Sequence, residues 1–262
     1  MLGQDALGGK VRLSRLSFGL SIFGLLASCW AWADSATVSL VMSQTLSPLM
    51  TVIRYEDRDA DQTVYLSRIF VLGGLMRMDY GRDDEGFILF DRAANTVWHV
   101  SPGDRRLTGI AARVVDDVWP KQWKLIQAVL PSEQGGVNQV RLNGVLCAEF
   151  KFSPLLIFEA GLLADFRRAL AANQATAWQG TPDDLREPCL LAIDVREAGI
   201  EYRQGLPLAI RYWDGRSRVY QGHERRLARP ELFELPKDYL RFVIGGDQGN
   251  SANRQPRSSQ VK

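Results

Sequence analysis

Apolar residues recur at every second position through most of the first half of the chain. Over Thr37–Gln44, Val38, Leu40 and Met42 share one face, with Thr37 and Ser39 on the other. Val52–Glu56 and Val64–Leu72 are rich in β-branched and aromatic residues, and the second run ends at Gly73-Gly74. Met76, Met78 and Tyr80 alternate with Arg77 and Asp79, as a half-buried strand should. A polar Gly81–Gly86 loop leads into the apolar run Phe87–Phe90. Ala94-Asn95 then turns the chain into Thr96–Ser101, and Pro102-Gly103-Asp104 turns it again into Arg105–Ile110. Strands at this spacing, with turn signals between them, predict an antiparallel meander.

The middle is less regular. Residues 111–138 contain Trp119-Pro120 and Trp123 and give no clean assignment; Trp123–Leu130 reads as a strand or a short helix. Gln139–Leu142 and Val145–Phe152 flank Asn143-Gly144, a hairpin signal because both turn residues tolerate positive φ. Strict alternation puts Leu146, Ala148, Phe150 and Phe152 on one face and Cys147, Glu149 and Lys151 on the other. After Pro154 the period changes. Leu155, Phe158, Leu162, Phe166, Ala169, Leu170 and Asn173 follow helical spacing, predicting one amphipathic helix to about Trp178. Thr181-Pro182-Asp183-Asp184 opens a short second helix, stopped by Pro188. Strand character returns at Cys189–Arg196. Leu208, Ile210 and Tyr212 then alternate up to an Asp214-Gly215 turn, from which Arg216–Gln221 runs back. From Gly245 onward a Gly/Ser/Asn/Gln tail reads as disordered.

The first 33 residues have a different pattern, and it changes the compartment. Lys10, Arg12 and Arg15 precede an apolar run from Leu16 to Ala27, and Ala31-Trp32-Ala33 offers a small-x-small cleavage pattern. This predicts a secretory signal peptide, cut after Ala33, and a periplasmic mature chain. A spanning helix needs about 20 mainly apolar residues, more than this run supplies. Leu26-Ala27-Ser28-Cys29 also fits a lipobox, so lipid anchoring at Cys29 is the alternative. Setting residues 1–33 aside removes Lys10, Arg12, Arg15 and Asp5 and leaves 29 basic against 29 acidic residues. An even balance argues against a nucleic-acid partner, which needs a basic surplus. Two cysteines remain, Cys147 and Cys189. An even count in an exported chain favours a disulfide over two separately buried thiols.

Catalytic chemistry is hard to find. His99 and His223 are the only histidines, one on a strand and one between Gly222 and Glu224 in a charged loop. Neither has a nucleophile and orienting carboxylate in view, and two isolated histidines do not make a zinc site. Asp57, Asp59 and Asp61 lack the turn glycine and bidentate acid of a calcium loop and read as a solvated hairpin tip; Asp83-Asp84-Glu85 is the other acidic cluster. No cofactor, metal or enzymatic role is expected. The remaining signal is apolar: Trp98, Trp119, Trp123, Trp178 and Trp213 accompany many Phe and Tyr residues, either as core or as the lining of a concave hydrophobic site.

Gly74-Leu75-Met76-Arg77-Met78-Asp79, Gly86-Phe87-Ile88-Leu89-Phe90-Asp91, Thr96-Val97-Trp98-His99-Val100 and Pro102-Gly103-Asp104 resemble the central strands of the LolA-like proteins. Leu206-Pro207-Leu208, Asp214-Gly215 and the run Pro230–Tyr239 resemble that group's closing strands. The resemblance implies a mainly β (α+β) domain over residues 34–244: a curved antiparallel sheet or incompletely closed β-barrel. One long amphipathic helix and a short helix would lie on its concave side. It also implies a non-enzymatic periplasmic protein holding a lipid or lipoprotein acyl chain; the alternative is an envelope protein-interaction or sensor component docking through the same sheet. The chain departs from the group in lacking an amphipathic helix before the first strand. It also carries the Leu155–Trp178 segment with two flanking cysteines, so no family residue is carried over. The expected ligand-binding residues are Phe87, Leu89 and Trp98 on the sheet and Phe158, Leu162 and Phe166 on the helix.

Overall fold

Six consecutive strands account for the alternation of the first half: β1 (Leu49–Arg58), β2 (Val64–Leu72), β3 (Leu75–Asp79), β4 (Phe87–Asp91), β5 (Thr96–Ser101) and β6 (Arg106–Ala111). Each pairs antiparallel with the next, so the expected meander is present. The computed structural model describes residues 48–82, 85–115, 118–132 and 135–244. The expected signal peptide, Cys29, the strand expected over Thr37–Gln44, Asp83-Asp84 and the expected tail from Gly245 lie outside the described residues.

The chain then builds β7 (Leu125–Ser132), β8 (Gly135–Leu142) and β9 (Val145–Phe152), followed by α1 (Ile157–Gly180). Asn143 and Gly144 take positive φ at the β8–β9 turn, as their identities require. After α1 come β10 (Pro207–Tyr212), β11 (Ser217–Leu227) and β12 (Leu240–Ile244). All twelve strands form one open sheet in the order β12-β6-β5-β4-β3-β2-β1-β11-β10-β9-β8-β7. It is mainly β with one long helix, and it does not close into a barrel.

Because β11 lies beside β1 while β12 pairs parallel with β6 at the far edge, residues 228–239 must cross the meander. They do so on the face opposite α1. Leu232 and Phe233, in a 3-10 turn at Pro230–Phe233, pack on Met50, Val52, Phe70, Phe87, Leu89, Val100 and Leu107. On the other face Leu162, Leu163, Phe166 and Ala169 of α1 pack on Ile53, Tyr55, Ile69, Val71, Met76, Phe90 and Val97. The meander is therefore covered on both faces. This corrects the half-buried reading of β3: Arg77 and Asp79 are as buried as Met76.

Two further differences come from local geometry. Cys189–Arg196 is helical, a short turn at Pro188–Leu190 running into a π-helical stretch at Leu191–Arg196, because Ala192, Ile193 and Cys189 pack on Val140, Phe150 and Ile210 at helical spacing. At Cys147 the β8–β9 register slips, Ala148 pairing with Val140 and Leu146 with Arg141. This bulge turns Cys147 and Ala148 both into the core, where strict alternation had separated them. Cys147 is disulfide-bonded to Cys189, tying the 188–196 segment to β9.

Candidate functional site

Between α1 and the sheet lies a cleft of about 290 Å³. Its inner wall follows from strand parity. Ile69, Met76, Met78 and Ile88 all point to the helix side of β2, β3 and β4, and Leu163, Phe166 and Leu170 face them from α1. The outer end is polar and is built from three places in the chain.

Parity in β1 puts Asp57 on the same face as Ile53 and Tyr55, and Asp57 is 4% exposed. The β1–β11 register sets it directly opposite Arg218, which donates through Nε to Oδ1 at 2.6 Å and through a terminal nitrogen to Oδ2 at 3.1 Å. Ser67 donates a third hydrogen bond, at 2.5 Å. Asp57 is thus a buried, saturated carboxylate, which corrects its reading as part of a solvated hairpin tip. Asp59 and Asp61 do sit at the exposed tip, where Asp61 accepts from the Thr63 amide at 3.0 Å.

The second contribution is the 3-10 turn Ile200–Tyr202. Gly199, at φ +83°, lets the chain enter this turn against α1: a Cβ there would stand 2.8 Å from the Ala164 carbonyl oxygen. The turn delivers Glu201 and Tyr202 into the cleft wall, both nearly fully buried. The third contribution is Arg167 of α1, which pairs with Asp194 and approaches Glu201 Oε1 to 3.0 Å. That approach lacks hydrogen-bond alignment, and Glu201 Oε2 is buried with no hydrogen-bond partner. At the rim, Arg216 donates to Asp214 at 2.6 Å, and the Tyr65 hydroxyl donates to Asp59 at 3.2 Å.

Burial opposes the charge on Arg167, but Glu201 and Asp194 more than offset it and hold the guanidinium protonated. At Arg218 burial again opposes the charge, and the Asp57 carboxylate offsets it. Burial pushes the Tyr55 and Tyr202 phenols up, and Tyr65, also next to Asp57 and Asp59, is pushed up to about 12. The folded chain therefore favours neutral phenols. Their contribution to stability is complete below the ordinary value of 10.0 and is lost as pH rises above it. An alkaline titration should show late phenolate absorbance appearing together with loss of the tertiary circular-dichroism signal, and Tyr202→Phe should remove its share. Tyr202 ionising in a chain that is still folded would contradict this.

The six residues expected at a ligand site are not brought together. Phe166 lines the cleft, and Leu162 is packed into the core on the same face. Phe158 is exposed in the first turn of α1. Phe87, Leu89 and Trp98 lie on the opposite face of the sheet, under residues 228–239. On β4 it is Ile88 and Phe90, not Phe87 and Leu89, that point to α1. Trp119 and Trp123, and Trp123 and Trp178, meet edge to face, with centroids 5.4 and 6.2 Å apart, away from the cleft lining.

A second, more open notch of about 470 Å³ is lined by Arg92, Arg113 and Arg168, two of which pair with Asp165. His99 and His223 are both exposed, on β5 and β11; the latter lies within an extended strand beside Tyr220, not in a loop. Among the described residues no group of three or more His, Cys, Asp or Glu could hold a metal ion. Among the same residues no helix is long and apolar enough to cross a membrane.

No family model and no curated protein matches this chain. Two solved structures of PNGF-II, in different crystal forms, align with 74% and 75% of the chain at 8% and 9% identity, with TM-scores of 0.36 and 0.37. In each, the alignment spans 31% of the PNGF-II chain, and similarity at this level transfers neither fold nor activity.

Proposed function

We propose that this is an exported, non-enzymatic binding protein that holds a hydrophobic molecule in the cleft between α1 and the meander. The observation that carries the reading is the cleft itself, with an apolar inner wall between Ile69, Met76, Met78 and Ile88 on one side and Leu163, Phe166 and Leu170 on the other. Hydrophobic side chains in a concave site take the apolar part of a ligand, and the charged outer end of this cleft would meet its polar part. The disulfide and the lack of a spanning helix among the described residues are compatible with an exported chain. An open sheet with a long helix on one face also agrees with the architecture the LolA-like resemblance implies.

The volume limits the ligand. At roughly 30 Å³ per non-hydrogen atom, 290 Å³ holds roughly ten such atoms. This corresponds to a short chain or the end of a longer one, not to a whole lipid. Each buried methylene contributes about 0.8 kcal/mol, so eight carbons supply useful affinity without any charged contact. Calorimetric titration with n-octanol tests the reading. Saturable binding is expected, and Leu170→Trp, which fills the cleft from the half-buried face of α1, should weaken it about tenfold or more. Binding that Leu170→Trp leaves unchanged, in a variant of normal stability, places the ligand elsewhere.

Docking to a protein partner is the second reading. It is favoured by β12, an edge strand whose Leu240, Phe242, Val243 and Ile244 are all about half exposed or more. Failure of the wild-type chain to bind octanol would move weight to it.

A further inference from the structure

We infer that the sheet face turned away from α1, over β1, β11, β10, β9, β8 and β7, is a docking surface for an anionic lipid bilayer. It lies across the sheet from the cleft and does not depend on a ligand there.

Leu232 and Phe233 cover only the meander side of this face, and in β1 their cover ends at Met50 and Val52. Past Val52, Ile53, Tyr55 and Asp57 are buried toward α1. Strand parity therefore turns Arg54, Glu56 and Arg58 the other way, and all three keep solvent contact. The register carries that parity across the sheet. Arg58 stands opposite Ser217, Ser217 opposite Arg211, and Arg211 opposite Glu149. One row along, Glu56, Val219, Ala209 and Lys151 face one another in turn. Glu224 stands opposite Val52, Arg226 opposite Met50, and Arg141 lies two positions from Gln139, the partner of Glu149.

Among the described residues this face thus carries six basic side chains, Arg54, Arg58, Arg141, Lys151, Arg211 and Arg226, against three acidic ones, Glu56, Glu149 and Glu224. Arg54 and Arg226 share Glu224, Glu149 approaches Arg211 only to 4.0 Å, and Arg141 donates to the neutral oxygens of Gln139 and Gly144. The chain beyond residue 33 has equal numbers of each sign, so the surplus here is a segregation of charge onto one face.

That charge chooses the partner. Two such faces repel each other, which argues against stacking with a second copy of this chain. A protein interface concentrates large apolar and aromatic anchors at its centre. Here the centre is small or charged, with Ser217, Ala209, Glu149 and Lys151, and the exposed apolar side chains are scattered, Val219 on β11 and Ile126 and Leu130 on the β7 edge. Six strands about 4.8 Å apart make a face roughly 24 Å wide. Over that width each basic side chain adds its own attraction to an anionic surface, and the scattered apolar ones enter the headgroup layer.

The test is co-sedimentation of the protein, purified after export, with vesicles of phosphatidylcholine alone and of phosphatidylcholine mixed with phosphatidylglycerol. Binding is expected to the anionic vesicles only, and it should weaken with added salt. Arg141→Gln combined with Arg211→Gln should weaken it about ten- to thirty-fold, the effect of two basic residues at an anionic surface. Arg113→Gln combined with Arg168→Gln removes the same charge from exposed positions on the α1 side and should leave it nearly unchanged. Equal losses in the two double variants, or equal binding to neutral and anionic vesicles, overturn the inference. So does no vesicle binding at all, which leaves an acidic protein as the partner of this face. None of these results bears on the cleft, whose test is the octanol titration.

Discussion

Replacing Asp79 by alanine should destabilise the protein by about 3–5 kcal/mol, the cost of removing one partner from a buried ion pair. Asp79 is fully buried at the end of β3 and accepts from Arg68 at 2.8 Å, from Arg77 at 3.2 Å and from the Gly81 amide at 3.2 Å. Arg77, 3% exposed, carries that anchoring across to the other layer. It donates to the Leu232 carbonyl at 3.1 Å, and its guanidinium lies 3.8 Å from the centre of the Phe87 ring. Without the carboxylate, the charge on Arg77 loses the group that offsets it at the point where residues 228–239 are fastened to the sheet. Urea unfolding is the measurement: the midpoint should fall with little change in slope. Asp238→Ala is the control. Its pair with Arg105 is two-thirds exposed on both sides, and such pairs contribute little. Equal losses at the two positions would show that the Arg77–Asp79 anchor does not hold the C-terminal crossing.

Most of the sheet was legible in the chain because alternation and turn chemistry are local. Gly73-Gly74, Ala94-Asn95, Asn143-Gly144 and Asp214-Gly215 each mark a turn that the structure contains. The layer on the far side of the meander was not legible. Burial of both faces of β3 depends on residues 228–239 crossing it, a contact some 150 positions away along the chain. Arg77 and Asp79 looked solvated because nothing near them in sequence covers them. For the same reason Phe87, Leu89 and Trp98 were assigned to the helix side, although parity alone separates Phe87 from Phe90.

The site was legible only in fragments. The parity that puts Ile53 and Tyr55 inward also puts Asp57 inward, so its burial could have been read from β1; the neighbouring Asp59 and Asp61 concealed it. Arg218 becomes its partner only through the β1–β11 register. Glu201 and Tyr202 follow a stretch whose apolar content suggested a strand. The helical spacing of Cys189, Ala192 and Ile193 is too short a run to stand out from the stretch's apolar content, and only Gly199 marks the close crossing that aims the two side chains.

The disulfide links that fragmentary site to the stability of the fold. Converting both Cys147 and Cys189 to alanine should cost about 4 kcal/mol, the chain-entropy value for closing a loop of 42 residues. The loss should not be spread evenly. α1 lies inside the loop but is held independently by Leu162, Leu163 and Phe166 against the meander. The 188–196 segment has a smaller apolar contact set, Ala192, Ile193 and the cysteines themselves against β8, β9 and β10. Hydrogen exchange in the double variant should therefore accelerate over residues 188–202 first, with β1–β5 following only at global unfolding. Because that stretch ends in Glu201 and Tyr202, which line the cleft, the variant should also bind octanol more weakly, even under conditions where the chain remains folded. A uniform rise in exchange, or an unfolding free energy within about 1 kcal/mol of the parent, would mean that the bond restrains an already ordered loop. In that event the polar wall of the cleft is positioned by Gly199 and the Arg167 ion pairs alone.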